Sequence, residues 1–153
     1  MRSSLAAFMG LLLLGATGAA AADRPDFNGT WKLDVAQSEL NGAARDFTLL
    51  IEEKGSNLHV KEASGPDSQE DVSEFTCGTL GVDCAMRDGK EKATVSVYYN
   101  GSMLIFLKTH GRKGSTVEKQ RLSLAAGGKS VTLELMPIEP QGKLEKLVLA
   151  KVQ

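Results

Sequence analysis

The chain is predicted to be all-β, an antiparallel up-and-down barrel of about eight to nine strands. Three observations carry this. Apolar and polar residues alternate with period two through most of the sequence, turn signals rich in Gly, Asn, Asp and Pro break that alternation about every 8 to 14 residues, and nothing between them shows a helical period. Connections this short favour sequential strands pairing in order. A meander of this length removes its exposed edges by closing on itself.

Residues 1–22 are set apart from the fold. Arg2 supplies a positive start, Leu5 to Leu14 a short apolar core, and Ala20-Ala21-Ala22 the small residues that a signal peptidase reads. That core is too short for a membrane span of about 20 residues, so no transmembrane segment is expected. Removing 22 residues from 153 leaves 131, residues 23–153, the size of one domain. The domain is expected outside the cytoplasm, in a periplasmic or extracellular space. Loss of Arg2 takes the formal net charge from −1 to −2, with both signs interspersed along the chain. No nucleic-acid surface is indicated.

The barrel opens at Phe27-Asn28-Gly29-Thr30-Trp31-Lys32-Leu33-Asp34-Val35, where Trp31, Leu33 and Val35 share one face and Thr30, Lys32 and Asp34 the other. Trp31 is the only tryptophan in an aromatic-poor chain, and it is expected to plug one end of the core. Ala36 to Leu40 is expected to make a short helical turn across one mouth. Phe47, Leu49 and Ile51 mark the next strand, and Leu58 and Val60 the one after the Gly55-Ser56-Asn57 turn. Gly65-Pro66-Asp67-Ser68 turns the chain again, and Val72 to Cys77 resumes an extended pattern that runs on into Gly78 to Cys84. Val95, Val97 and Tyr99 lie on one side of a further strand. Asn100-Gly101 then predicts a two-residue primed turn, since both residues tolerate positive φ. Met103 to Leu107 is apolar on both faces, and Thr116 to Ala125, Ser130 to Pro137 and Lys143 to Val152 complete the set.

The run Phe-x-Gly-Thr-Trp-Lys-Leu-Asp-x-Ala-x-Ser-x-Leu, residues 27–40, resembles the opening of small secreted bacterial proteins with a lipocalin-like, calycin-type barrel. Its Gly29-Thr30-Trp31 is similar to the Gly-x-Trp signature of lipocalins. The resemblance implies that a basic side chain from a late strand, Lys151 or Arg121, lies over the tryptophan. Such a contact is worth on the order of 0.5 to 2 kcal/mol and stabilises without taking part in chemistry.

Cys77 and Cys84 are the only cysteines, separated by six residues that include two glycines. In an exported chain they are expected to form a disulfide across a tight hairpin. The spacing does not fit the Cys-x-x-Cys of a redox pair. His59 and His110 are read as solvated, and no cluster at ligand spacing marks a metal site. No nucleophile elbow, phosphate loop or calcium loop is present, so neither catalytic residues nor a cofactor are assigned.

What remains is the barrel interior. If it is lined mostly by Val, Leu, Ile, Ala and Met with few large aromatics, it is expected to hold one small hydrophobic ligand, with Trp31, Phe47, Val97, Tyr99 and Ile105 as candidate walls, unless its own side chains fill it. The alternative is a non-enzymatic structural or protein-interaction module of the cell envelope. It would use an outer apolar face suggested by Met103 to Leu107 and by Leu147-Val148-Leu149.

Overall fold

The computed structural model describes residues 24–43, 46–65, 71–111 and 116–152. The expected leader at 1–22 and Pro66-Asp67-Ser68 of the expected turn lie outside them.

Among the described residues ten strands form one closed barrel: β1 Gly29–Leu33, β2 Phe47–Lys54, β3 Asn57–Ser64, β4 Asp71–Gly78, β5 Leu80–Asp88, β6 Glu91–Asn100, β7 Met103–His110, β8 Thr116–Leu124, β9 Ser130–Glu139 and β10 Glu145–Lys151. Each pairs antiparallel with its sequence neighbours, and β1 closes the ring on β10 through Trp31↔Lys151 and Leu33↔Leu149. The up-and-down barrel expected from the period-two alternation is therefore present, with ten strands instead of eight to nine. The additional strand is β5. In it only Met86 is buried, and Leu80, Gly81, Val82 and Asp83 are exposed, so this stretch lacks the apolar alternation that reveals the others.

Two local expectations change. The β6–β7 turn is Gly101-Ser102, because Asn100 already pairs with Met103 and Gly101 takes the first positive-φ position at 61°. The predicted helical turn is a single 3₁₀ turn at Val35–Gln37, capped by Asp34, whose carboxylate accepts from the Ala36 N–H. It runs along β10, with the Asp34 N–H donating to Val148 and Glu39 exchanging both backbone bonds with Lys146. It is thus seamed to the barrel wall, where β1 is too short to pair with the first residues of β10.

The alternation of strand directions sorts the connections to two ends. The β2–β3, β4–β5, β6–β7 and β8–β9 turns lie at one end with residues 24–28, and the β1–β2, β3–β4, β5–β6, β7–β8 and β9–β10 connections lie at the other. The first end is sealed. Phe27 is buried, its carbonyl accepts from the Trp31 indole N–H at 2.9 Å, and Arg24 reaches across to Tyr99, 4.8 Å from the ring centroid. The core near this end consists of Trp31, Leu49, Ile51, Leu104, Leu122, Val131, Leu133, Leu147 and Leu149, all essentially without solvent contact.

Candidate functional site

The inward phase of the strands changes character along the barrel axis. In β3 it reads Leu58, Val60, Glu62; in β7 it reads Leu104, Phe106, Lys108; in β8, running the other way, it reads Glu118, Gln120, Leu122. Each strand is apolar toward the sealed end and polar toward the opposite one. Strand direction then gathers the polar positions at one depth. Glu62, Ser73, Lys108 and Gln120 are the buried polar side chains among the described residues.

Lys108 Nζ donates to Glu62 Oε2 at 2.5 Å, and both groups are almost wholly withdrawn from solvent. Because β3 and β7 are not neighbours, this ion pair crosses the lumen. Gln120 Nε2 donates to Glu118 Oε1 at 2.7 Å and makes a longer contact of 3.4 Å with Glu62 Oε2. Glu62 Oε1 and Gln120 Oε1 are buried and have no hydrogen-bond partner. Beside this strut, Phe75 and Phe106 meet edge to face at 5.3 Å, and Lys108 Nζ lies 6.0 Å from the Phe75 centroid. Charges so far from water require pairing, which Glu62 and Lys108 supply to each other.

Two concavities adjoin the β5–β6 turn. One, of about 830 Å³, is lined by Met86 and Ala93 from the inward phase and by His59, Glu74 and Arg87 from the outer one. The other, of about 620 Å³, is lined by Lys90, Glu91, Lys92 and Gly111 at the end of the barrel opposite Trp31. On the outer wall His59 is held between Glu52 at 3.2 Å and Glu74 at 2.9 Å, and Glu74 also pairs with Arg87 at 2.5 Å. His110 pairs with Asp88 at 2.8 Å. Both histidines, read from the sequence as solvated, are instead part-buried beside carboxylates, which come from the two adjacent strands for His59 and from β5, two strands away, for His110. Among the described residues no group of three or more His, Cys, Asp or Glu is arranged to hold a metal ion.

The candidate ligand-binding residues divide. Trp31, Phe47 and Val97 belong to one interior cluster, and Tyr99 packs against its edge. Burial, followed by the nearby Glu53 carboxylate, holds the Tyr99 hydroxyl above its ordinary value. Ile105 is buried but lies in the opposite phase to Leu104 and Phe106, opposite Tyr98 and Arg121, outside that cluster. Lys151, not Arg121, covers Trp31, at 5.0 Å from the ring, while Arg121 pairs with Glu134 at 2.5 Å. Cys77 and Cys84 are disulfide-bonded. The apolar runs that suggested an outer binding face are largely absorbed by the interior, where Leu104, Phe106, Leu147 and Leu149 all point. The sequence reading did not single out Glu62, Lys108 and Gln120. Their signal was a polar residue at an inward-phase position of an otherwise apolar strand.

No family model matches the chain, and no curated protein matches its sequence. Solved structures share its fold. An abundant heat soluble (SAHS) protein from Ramazzottius varieornatus has a TM-score of 0.66 and 12% identity, covering 82% of this chain and 95% of that one. Fatty-acid-binding protein 1 of Echinococcus granulosus has a TM-score of 0.62 and 12% identity, covering 83% and 98%. A protein described as the REP1-NXSQ fatty acid transporter has a TM-score of 0.61 and 15% identity, covering 82% and 96%. At these identities the likeness is one of fold alone, a closed antiparallel β-barrel.

Proposed function

We propose that this chain is an exported, non-enzymatic binding module of bacterial type that takes a small hydrophobic ligand into the lumen from the end opposite Trp31. One observation carries the reading. The lumen is sealed and apolar at its floor and bears a small set of fixed polar groups, Glu62, Lys108 and Gln120, part-way to the other end. That combination of apolar wall and a few convergent polar groups is the general form of a small-molecule site. The names of two structural neighbours, which describe fatty-acid binding and transport, point the same way. The Cys77–Cys84 bond and the leader expected at 1–22 support export to an oxidising space.

A second reading, a cell-envelope interaction module, has one observation in its favour. Leu80 and Val82 are 86% and 68% exposed on the disulfide-stapled tip between β4 and β5.

The test is native mass spectrometry of protein purified gently from its exporting host, followed by denaturation and extraction. A stoichiometric apolar molecule is expected, and Ala93→Phe, which fills the inward phase near the β5–β6 turn, should reduce its occupancy. A clean mass for the bare chain, together with failure to take up hydrophobic dyes, would overturn the reading and move attention to Leu80 and Val82.

A further inference from the structure

The polar groups at mid-depth say more about a ligand than that it is apolar. Lys108 is already neutralised by Glu62, and the cluster adds a second carboxylate, Glu118. Its local balance is therefore negative. On Glu62 and Gln120 the buried atoms left without partners, Oε1 in each, are both acceptors, and the two residues are only 7% and 2% exposed. A buried acceptor without a donor is destabilising, and a bound molecule that supplies the donor recovers that cost. A carboxylate head would find Lys108 engaged and meet two more acceptors at close range. A primary ammonium brings three N–H donors and the opposite charge.

We propose, on the reading that the lumen binds an amphiphile, that the head recognised here is a hydrogen-bond-donating cation. The ligand is then a long-chain primary amine whose nitrogen sits between Glu62 Oε1 and Gln120 Oε1. The alkyl chain lies along the apolar inward phase of the neighbouring strands. The site selects against a fatty acid of the same length.

Three twelve-carbon probes of equal chain length separate the possibilities: dodecylamine, 1-dodecanol and dodecanoate, each titrated below its aggregation concentration. Binding is followed by calorimetry and by the side-chain amide resonances of Gln120. Dodecylamine is expected to bind tightest, at least about tenfold tighter than dodecanoate, as for a charge-assisted hydrogen bond gained against one lost. It should also shift the Gln120 amide. Gln120→Met should weaken the amine by about tenfold while changing dodecanoate little. Dodecanoate binding as tightly as the amine would overturn the proposal and leave the carrier reading standing. Amine binding that leaves the Gln120 amide unmoved would overturn it as well, because the ligand then sits elsewhere. If no probe binds, both readings fall. Should Gln120→Met fail to fold, the order of the three probes and the Gln120 shift in the unmodified protein still decide.

Discussion

Lys151 lies across Trp31, its ammonium 5.0 Å from the indole ring, and the absence of a side chain at Gly29 clears its path. A Cβ at Gly29 would stand 2.7 Å from Lys151 Cε, and the residue's φ of +135° is one that L side chains rarely adopt. The glycine and the tryptophan of the Gly-x-Trp run are thus one device. The first lets the cation in, and the second receives it at the seam where β1 meets β10.

Gly29→Ala should therefore destabilise by more than about 1 kcal/mol, since alanine at positive φ is strained and the lysine is pushed aside. Lys151→Met should cost less, on the order of 0.5 to 2 kcal/mol, because it removes the cation and keeps most of the stem. Urea midpoints measured at a common slope separate the two. Equal midpoints for Gly29→Ala and the parent would show that backbone and lysine adapt without cost.

Much of this fold was legible because the barrel repeats one rule, alternation between turn residues. It failed at β5, where Gly81, Asp83 and the exposed Leu80 and Val82 break the rule while the chain still pairs with β6. There the disulfide and the neighbouring strands impose what local pattern does not. The candidate site was less legible for a related reason. Glu62, Lys108 and Gln120 lie on three strands, two of them 46 residues apart at the ion pair, and only closure of the ring brings them together. Taken singly, each looks like a solvated residue at the polar end of a strand. Read against phase, each is an inward polar residue in an apolar row, and the rows converge.

The lumen-crossing pair leads to a second prediction. Lys108→Met leaves Glu62 buried without its partner, a change expected to cost about 3 to 5 kcal/mol. Replacing both residues, Glu62→Leu with Lys108→Met, should recover most of that loss, because an apolar pair removes the desolvation penalty on both sides. A double-mutant cycle on unfolding free energies reads the coupling directly. Additive single losses would mean that the two groups do not depend on each other in the folded state.

Cys77 and Cys84 close a short loop at the β4–β5 tip, with a sequence separation of 7. In the chain-entropy model a loop of this size gives about 2.5 kcal/mol. Reduction under native conditions should lower the urea midpoint by that order while the β-sheet circular dichroism signal is retained. Reduction is the better probe than substitution, since Cys77 is also buried in the core and its replacement by alanine would add a packing loss. A reduced protein with an unchanged midpoint would show that the ladder Ser73↔Asp88 to Phe75↔Met86 holds β4 to β5 unaided.

Acid should act first on the outer wall. The hydrogen bond to His59 is the largest influence holding Glu52 below the ordinary value of 4.5, with Lys54 adding to it. The same bond comes first for Glu74, with Arg87 adding to it against the opposing effect of burial. Carboxyls whose values fall on folding bind protons more weakly in the folded chain than in the unfolded one. Their contribution is therefore complete above 4.5 and is lost as pH falls through the lowered folded values. Asp26 behaves alike from its ordinary 3.8, lowered chiefly by the Asn28 backbone N–H, and is independent of His59. Urea midpoints recorded from pH 7 to pH 3 should fall below about pH 4.5 in the parent. The fall should be shallower in His59→Leu, with the part due to Asp26 surviving at the acid end. Parallel curves for parent and variant would show that His59 does not tie Glu52 and Glu74 to the folded state.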